Sequence, residues 1–318
     1  MRMVVGYHGR CFDGCTSAAL FTRLYEKVGP KGATVSYRAL AHGKGAAPGP
    51  AELDGDENAV VDFKYTPSPA LTWWFDHHQS AFVEPAHRAH FEAAQQDGRR
   101  FFDPECSSCT RLLVRVAKDR FGVTFPGLEE LIHWADTIDA ARFESPAMAV
   151  ELKQPALQLM TVLEASEDAF CDAIIPRLVQ DGLAVATTEL VQSRFIPMFK
   201  QHQDNVERVR QTARLDGNVV SFDLTAWDMD GFNKFIAYYL YPQALYSVGV
   251  TASSRRSKVS VGSNPWRAGE RRHDISKLCE RYGGGGHPVV GAVTLGAGEL
   301  AGVRQAALEI AAALRAPG

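Results

Sequence analysis

The sequence predicts an α/β protein of two domains, the first built on a mostly parallel sheet. Three observations carry this. Short β-rich runs alternate with helical patterns in the first part of the chain. Four segments there put carboxylates and imidazoles at or just beyond an apolar strand or helix. The texture then returns to strands after Asp216-Gly217. At 318 residues the chain is also long for a single domain.

Arg2–Tyr7 reads as a strand and Thr16–Val28 as a helix, with apolar residues at 3.6 spacing. β-rich runs follow at Thr34–Leu40, Ala59–Phe63 and Leu71–Phe75, with a Gly/Pro-rich loop over His42–Pro50. Helical patterns dominate from about Cys109 to Arg214. Within them Gln180–Arg214 has few breakers apart from Pro197 and reads as one long connecting helix. Strands are expected again at Val219–Leu224, Tyr246–Ala252 and Lys258–Gly262. A helix over Asp274–Tyr282, a glycine run, a strand at Val289–Leu295 and a helix over Glu299–Arg315 complete the chain. The expected division is a first domain over 1–180, a helical connector over 181–215 and a second domain over 216–318.

Hydrophobic content of 46% with 22% charged residues is ordinary for a globular protein. A formal net charge of -3 argues against long duplex nucleic acid as a partner, yet leaves room for a small anion in a local basic pocket. The N-terminus enters a short strand directly, without a secretory pattern, and no apolar run approaches the ~18 residues of a membrane span. The cytoplasm, with no membrane partner, is the expected location. Six cysteines in a chain this long do not make a disulfide framework. Cys106-Ser-Ser-Cys109 has the spacing of a redox or zinc half-site but lacks a second pair, so its thiols read as structural.

The four segments are Tyr7-His8-Gly-Arg-Cys11-Phe-Asp13-Gly14, Val60-Val61-Asp62, Asp76-His77-His78 and His133-Trp-Ala-Asp136-Thr-Ile-Asp139. In a parallel sheet the strand C-termini converge on one edge, so ligands from separate segments can meet there. Carboxylates mixed with imidazoles favour manganese, iron, cobalt or zinc over calcium. Together the segments hold more ligands than one ion needs, which points to a two-metal site of the kind that clamps phosphoryl oxygens. The second half adds Arg281-Tyr-Gly283-Gly284-Gly285-Gly286-His287, where consecutive glycines let backbone N–H groups approach a phosphate. Just upstream, Arg255, Arg256, Lys258, Arg267, Arg271 and Arg272 gather positive charge within 18 positions, able to steer an anion.

These segments, in this order, resemble the DHH phosphoesterases with a C-terminal DHHA1 domain, the group that includes nanoRNases, cyclic-dinucleotide phosphodiesterases and exopolyphosphatase-related enzymes. The resemblance spans nearly the whole chain. It rests on Asp76-His77-His78 and the Gly283–His287 loop, more than two hundred residues apart. Cys106-Ser107-Ser108-Cys109 after Phe101-Phe102-Asp103 is similar to a serine-containing helix start in smaller members. The resemblance implies a Mn²⁺-dependent hydrolase with its active site in the cleft between domains. By it, Asp62 bridges two divalent ions; Asp13, His77 and Asp136 hold one of them; His8 holds the other. His78 contacts the scissile phosphate or protonates the leaving oxygen. Gly284, Gly285, Gly286 and His287 grip the substrate.

Two departures stand out. The first motif of the family has a histidine and then two aspartates flanking one residue. Here Cys11 matches the first aspartate, after a one-residue shortening. It is either a thiolate ligand, favouring zinc or iron, or the mark of a weakened metal site. Small-substrate members also carry an Arg-Ser pair where this chain reads Val259-Ser-Val-Gly262-Ser263-Asn264-Pro265. Arg255, Arg256 or Arg267 then takes over phosphate binding, or the substrate differs. The implied activity is hydrolysis of short oligonucleotides or linear or cyclic dinucleotides to mononucleotides, by attack of a metal-bound hydroxide. The alternatives are a phosphomonoesterase on 3′-phosphoadenosine phosphate, an exopolyphosphatase-like activity, or a non-catalytic nucleotide sensor. The expected partner is a small nucleotide or short oligonucleotide, and a homodimer is allowed.

Overall fold

The structure, a computed structural model, describes residues 1–41 and 47–316. Part of the loop expected over His42–Pro50, residues 42–46, therefore lies outside the described residues. In chain order the elements are β1 (Arg2–His8), α1 (Phe12–Val28), β2 (Thr34–Leu40), β3 (Glu57–Val61), β4 (Trp73–Asp76), α2 (Pro85–Ala94), β5 (Arg100–Phe102), α3 (Cys109–Phe121) and α4 (Glu129–Asp139). Four helices follow: α5 (Pro146–Glu151), α6 (Pro155–Ala165), α7 (Asp168–Asp181) and α8 (Glu189–Thr212). Then come β6 (Arg214–Asp216), β7 (Val219–Asp228), α9 (Ile236–Leu240), β8 (Tyr246–Ala252), β9 (Arg256–Ser263), α10 (Ile275–Glu280), β10 (Gly285–His287), β11 (Val290–Gly296) and α11 (Leu300–Arg315).

Several bounds differ from the sequence expectation for local reasons. β3 stops at Val61 because Asp62 takes φ 58°, a left-handed conformation that cannot continue a strand. The single helix expected over Gln180–Arg214 is broken. α7 ends at Asp181, Gly182 adopts φ 55°, and residues 182–187 form 3₁₀ turns before α8 begins. Pro197 sits inside α8.

Two compact units divide the chain, Met1–Arg142 with Lys153–Phe195, and Phe143–Leu152 with Ile196–Gly318. The division falls inside α8, and Phe143–Leu152 goes with the second unit. In the first unit five strands form one sheet, ordered β2-β1-β3-β4-β5 and parallel at every pairing. Met3 to Tyr7 of β1 and Ala59 to Val61 of β3 are buried, as the central strands of a covered parallel sheet must be. The period-2 alternation of β4 separates two aromatic clusters. Trp74 packs with Tyr65 and Phe91 at ring-centroid distances of 4.8 and 5.2 Å, and its indole N–H donates to the Phe63 carbonyl at 2.9 Å. Trp73 and Phe75 instead meet Phe21 of α1 at 5.8 and 6.0 Å. Asp76 follows at the C-terminal end of β4.

The second unit holds a six-stranded sheet ordered β10-β11-β9-β8-β7-β6, antiparallel except between β7 and β8. α11 covers it with Val303, Ala306, Ala307, Ile310, Ala311 and Leu314, residues three and four apart that share one helix face.

Candidate metal centre

His8 closes β1, Cys11 precedes the first turn of α1, and Asp13 lies within that turn. The tight β1–α1 junction requires glycine at position 14: a Cβ there would stand 2.2 Å from the His8 carbonyl oxygen. Asp13 is buried, and its carboxylate accepts from the Cys109 and Thr110 backbone N–H groups at 2.7 and 3.0 Å. It thereby satisfies two of the orphan donors at the start of α3. Asp62, fully buried just beyond β3, is held by its own N–H donating to the Phe75 carbonyl at 2.9 Å.

These segments meet at the C-terminal edge of the first unit's sheet. His8 Nδ1 lies 3.3 Å from Asp62 Oδ2, His77 Nε2 3.6 Å from Asp62 Oδ1, and His77 Nε2 3.3 Å from Asp139 Oδ2. Three overlapping groups bring their ligand atoms within 4.8 Å of one another: His8, Cys11 and Asp62; Asp62, His77 and His78; Asp13, His77 and Asp139. Asp62 belongs to two of them and His77 to two. His77 Nδ1 donates to the Cys106 carbonyl at 3.0 Å, which turns Nε2 toward the cluster.

The two histidines of the Asp-His-His run are held differently. His78 Nδ1 meets Asp76 Oδ1 at 2.7 Å, and that oxygen also accepts from the His77 and His78 backbone N–H groups at 2.8 and 3.3 Å. Asp76 is thus a buried anchor that orients His78, a role the sequence reading leaves out. Asp136, expected as a ligand, is drawn elsewhere: its carboxylate accepts from the Ser107 hydroxyl and, at 3.2 Å, from that of Ser108. Asp139, three residues on along α4, is the carboxylate that the structure groups with Asp13 and His77.

The electrostatics are those of a cation site. Burial pushes the Asp13 carboxyl well above its usual range, and Asp62 and Asp139 add to the push. Burial, then the Asp62 charge, raises Asp139 to about 6. Asp62 is also buried, but His77 and His8 outweigh that penalty and hold it below the ordinary carboxylate range. Burial pulls both imidazoles of the run down, yet the carboxylates win. Asp62, Asp13 and Asp139 push His77 up to about 10, and Asp76 with Asp62 pushes His78 up to about 9. The Cys11 thiol is raised, first by burial and then by Asp62 and Asp13. Both Asp62 oxygens and His77 Nε2 are buried without a well-formed hydrogen bond. Buried polar atoms left so cost free energy unless something else satisfies them. A mixed carboxylate and imidazole set in that condition fits a first-row divalent ion.

All six cysteines are free thiols. Cys109 Sγ lies 3.3 Å from the Phe75 carbonyl, and Cys106 Sγ lies 3.6 Å from Asp103 Oδ2. Both sulfurs thus lie against oxygen atoms near the start of α3.

In the second unit, the glycine run is shaped by close backbone packing. A Cβ on Gly284 would stand 2.2 Å from the Ala292 carbonyl oxygen, and one on Gly286 2.3 Å from that of Val290. β10 can pair with β11 at that distance only as glycine, while a Cβ on Gly285 would meet nothing within 4 Å and His287 is exposed. Arg255 and Arg256 both pair with Asp230, Arg256 Nε at 3.5 Å from its Oδ1. Arg267 donates from Nε to Glu270 at 2.7 Å.

No protein-family model matches the chain, and no curated protein matches it either. Solved structures do. The chain is similar to the pGpG-specific phosphodiesterase PggH from Vibrio cholerae, with a TM-score of 0.69 at 20% identity over 98% of this chain and 99% of that one. It is similar to exonuclease RecJ bound to manganese, with a TM-score of 0.57 at 14% identity over 99% of this chain and 91% of that one. RecJ from Thermus thermophilus in complex with Mn²⁺ gives 0.56 at 13% identity, over 99% of this chain and 52% of that one. The chain, a five-stranded parallel sheet followed by a mixed six-stranded sheet, accordingly shares the fold of PggH and RecJ.

Proposed function

We propose that the chain is a divalent-metal-dependent phosphodiesterase that cleaves a linear dinucleotide or short oligonucleotide to mononucleotides. One observation carries this reading: Asp62, with both oxygens buried and poorly satisfied, is shared between two groups of ligand-type side chains at one sheet edge. The fold of PggH, a pGpG-specific phosphodiesterase, favours a small linear substrate. RecJ, solved with Mn²⁺ and with Mg²⁺, favours manganese or magnesium over calcium.

In this reading Asp13, His77 and Asp139 would hold one ion and His8, Cys11 and Asp62 the other, with Asp62 shared between them. Two such ions polarise phosphoryl oxygens and lower the pKa of bound water. The chain's own residues do the rest. Asp76 fixes the His78 ring through Nδ1, so Nε2 is the atom that carries a proton to the leaving oxygen. The P–O bond to the 3′ oxygen of the leaving nucleotide breaks, a water oxygen adds to phosphorus, the Nε2 proton goes to the departing 3′ alkoxide, and the proton given up by the water restores His78. His287 and the open Gly285 position in the second unit are proposed to hold the substrate's phosphates.

The test is turnover of pGpG, pApA, cyclic di-AMP, cyclic di-GMP, 3′-phosphoadenosine phosphate and polyphosphate with Mn²⁺. Linear dinucleotides should be cleaved fastest. Asp62→Ala and His77→Ala should each lose activity by about a thousandfold or more while their circular dichroism is unchanged. Near wild-type turnover in either variant sinks the assignment. The sensor reading draws on the Cys11 thiol, which desolvation and then the Asp62 and Asp13 charges push up, against the thiolate form. Metal analysis after purification without chelator separates the two, since two bound ions favour the enzyme and none the sensor.

A further inference from the structure

A cavity of about 530 Å³ opens in the second unit, between the start of β8, the segment from Arg267 to His273 and the end of α11. Four arginines line it (Arg267, Arg271, Arg272 and Arg315) against one glutamate, Glu270, in a chain whose formal net charge is -3. Two of those arginines are already committed. Arg267 donates to Glu270, and Arg315 Nη1 lies 2.8 Å from Asp216. Arg271 and Arg272 are not: among the described residues neither has a carboxylate within 4.0 Å. Arg271 Nη1 reaches the Ser263 hydroxyl at a long 3.4 Å.

The backbone beneath these two guanidinium groups is fixed. Tyr246, fully buried, accepts at its hydroxyl from the Arg272 and His273 backbone N–H groups at 2.9 and 3.2 Å, and meets His273 Nδ1 at 3.1 Å. Buried Asn264 accepts from Trp266 N–H at 3.0 Å and donates to the Ala244 carbonyl at 2.8 Å, anchoring the start of the segment. The backbone that carries the two arginines is therefore held in place.

We propose that this cavity binds the terminal phosphomonoester of a nucleotide, with the Arg271 and Arg272 forks on the phosphate oxygens. Guanidinium forks match phosphate geometry and bind it in bidentate fashion. The volume exceeds what a bare phosphate fills and lies in the range of small-ligand sites, which leaves room for the sugar and base. The proposal goes beyond hydrolysis and needs no residue of the metal cluster. The phosphomonoester can come from a free mononucleotide or from the 5′ end of a short oligonucleotide.

The test is calorimetric titration of the full chain in EDTA, where no cleavage occurs, with GMP, pGpG and guanosine. GMP should bind saturably and guanosine should not. Tighter binding of pGpG than of GMP assigns the site to an oligonucleotide end, and equal binding assigns it to a mononucleotide; both support the site. Arg271→Ala with Arg272→Ala should weaken GMP by about tenfold or more. Asp62→Ala should bind GMP as the wild type does, which separates this site from the metal centre whatever becomes of the hydrolytic reading. Wild-type GMP affinity should also fall as salt rises, a readout that needs no variant. No saturable GMP binding, guanosine binding as tight as GMP, a salt-independent affinity, unchanged affinity in the double variant or parallel loss in Asp62→Ala would each overturn the proposal.

Discussion

The Asp76 carboxylate accepts from the His78 ring at 2.7 Å and from two backbone N–H groups, all through one oxygen. It therefore sets both the direction and the basicity of His78 without joining a ligand group that includes Asp13 or Asp139. Replacing it with asparagine keeps the volume and removes the charge that helps push His78 up to about 9. A lower His78 pKa means that the proton-donating form is lost at lower pH. In Asp76→Asn the basic limb of the kcat profile should therefore move acidward, with kcat down about 10–100-fold and metal content unchanged. An unmoved basic limb would remove His78 from the proton-transfer role. The Asp-His-His run is legible in the sequence as a ligand cluster; the division of labour within it is not. An aspartate beside two histidines reads the same whether it binds a metal or braces an imidazole. Asp136 and Asp139 pose the same problem. Both lie at i and i+3 on α4, and only the placement of Ser107 and Ser108 decides which one turns toward His77.

The β1–α1 junction brings His8, Cys11 and Asp13 together, and Gly14 sets how closely the helix approaches the strand. Glycine inside a helix normally costs about 1 kcal/mol relative to alanine, so Gly14→Ala would stabilise an isolated α1. Here the added Cβ lies 2.2 Å from the His8 carbonyl oxygen and 3.0 Å from the His8 Cβ, so helix and strand must separate. Overpacking of this kind costs about 1–3 kcal/mol, more than the propensity gain. Gly14→Ala should therefore lower stability in urea melts, and Mn²⁺ affinity should fall with it because His8 is displaced. A stabilised variant with unchanged Mn²⁺ affinity would contradict this account of the junction. At this level the main strands are readable, since continuous apolar runs such as Val60-Val61 and Trp73-Trp74-Phe75 announce buried parallel strands. β5, with only three residues, has too little pattern to be seen. The break at Gly182 hides because one glycine in a helical pattern is ordinarily tolerated, and only its φ of 55° shows the stop.

Across the whole chain, composition and motif order indicate the class of protein, while burial decides how its charge behaves. Asp13, Asp62 and Asp139 are gathered in the first unit with their charge balanced by imidazoles raised to about 10 at His77 and about 9 at His78. Divalent ions that take the place of those protons must displace them, so metal affinity should rise with pH until His78 and then His77 lose their protons unaided. Each proton released adds about 1.4 kcal/mol of binding free energy per pH unit. At a free Mn²⁺ concentration of about 100 times Kd, binding to the native state alone stabilises it by about 2.7 kcal/mol. With about 2–4 °C per kcal/mol for units of this size, the melting temperature should rise by about 5–11 °C. At a fixed Mn²⁺ concentration that rise should be larger at pH 8.5 than at pH 6.5, and it should vanish in Asp62→Ala. Scanning calorimetry of chelator-treated protein with and without Mn²⁺ checks all three. A rise that is equal at both pH values would mean that the ion binds without displacing the histidine protons, and would move it away from His77 and His78.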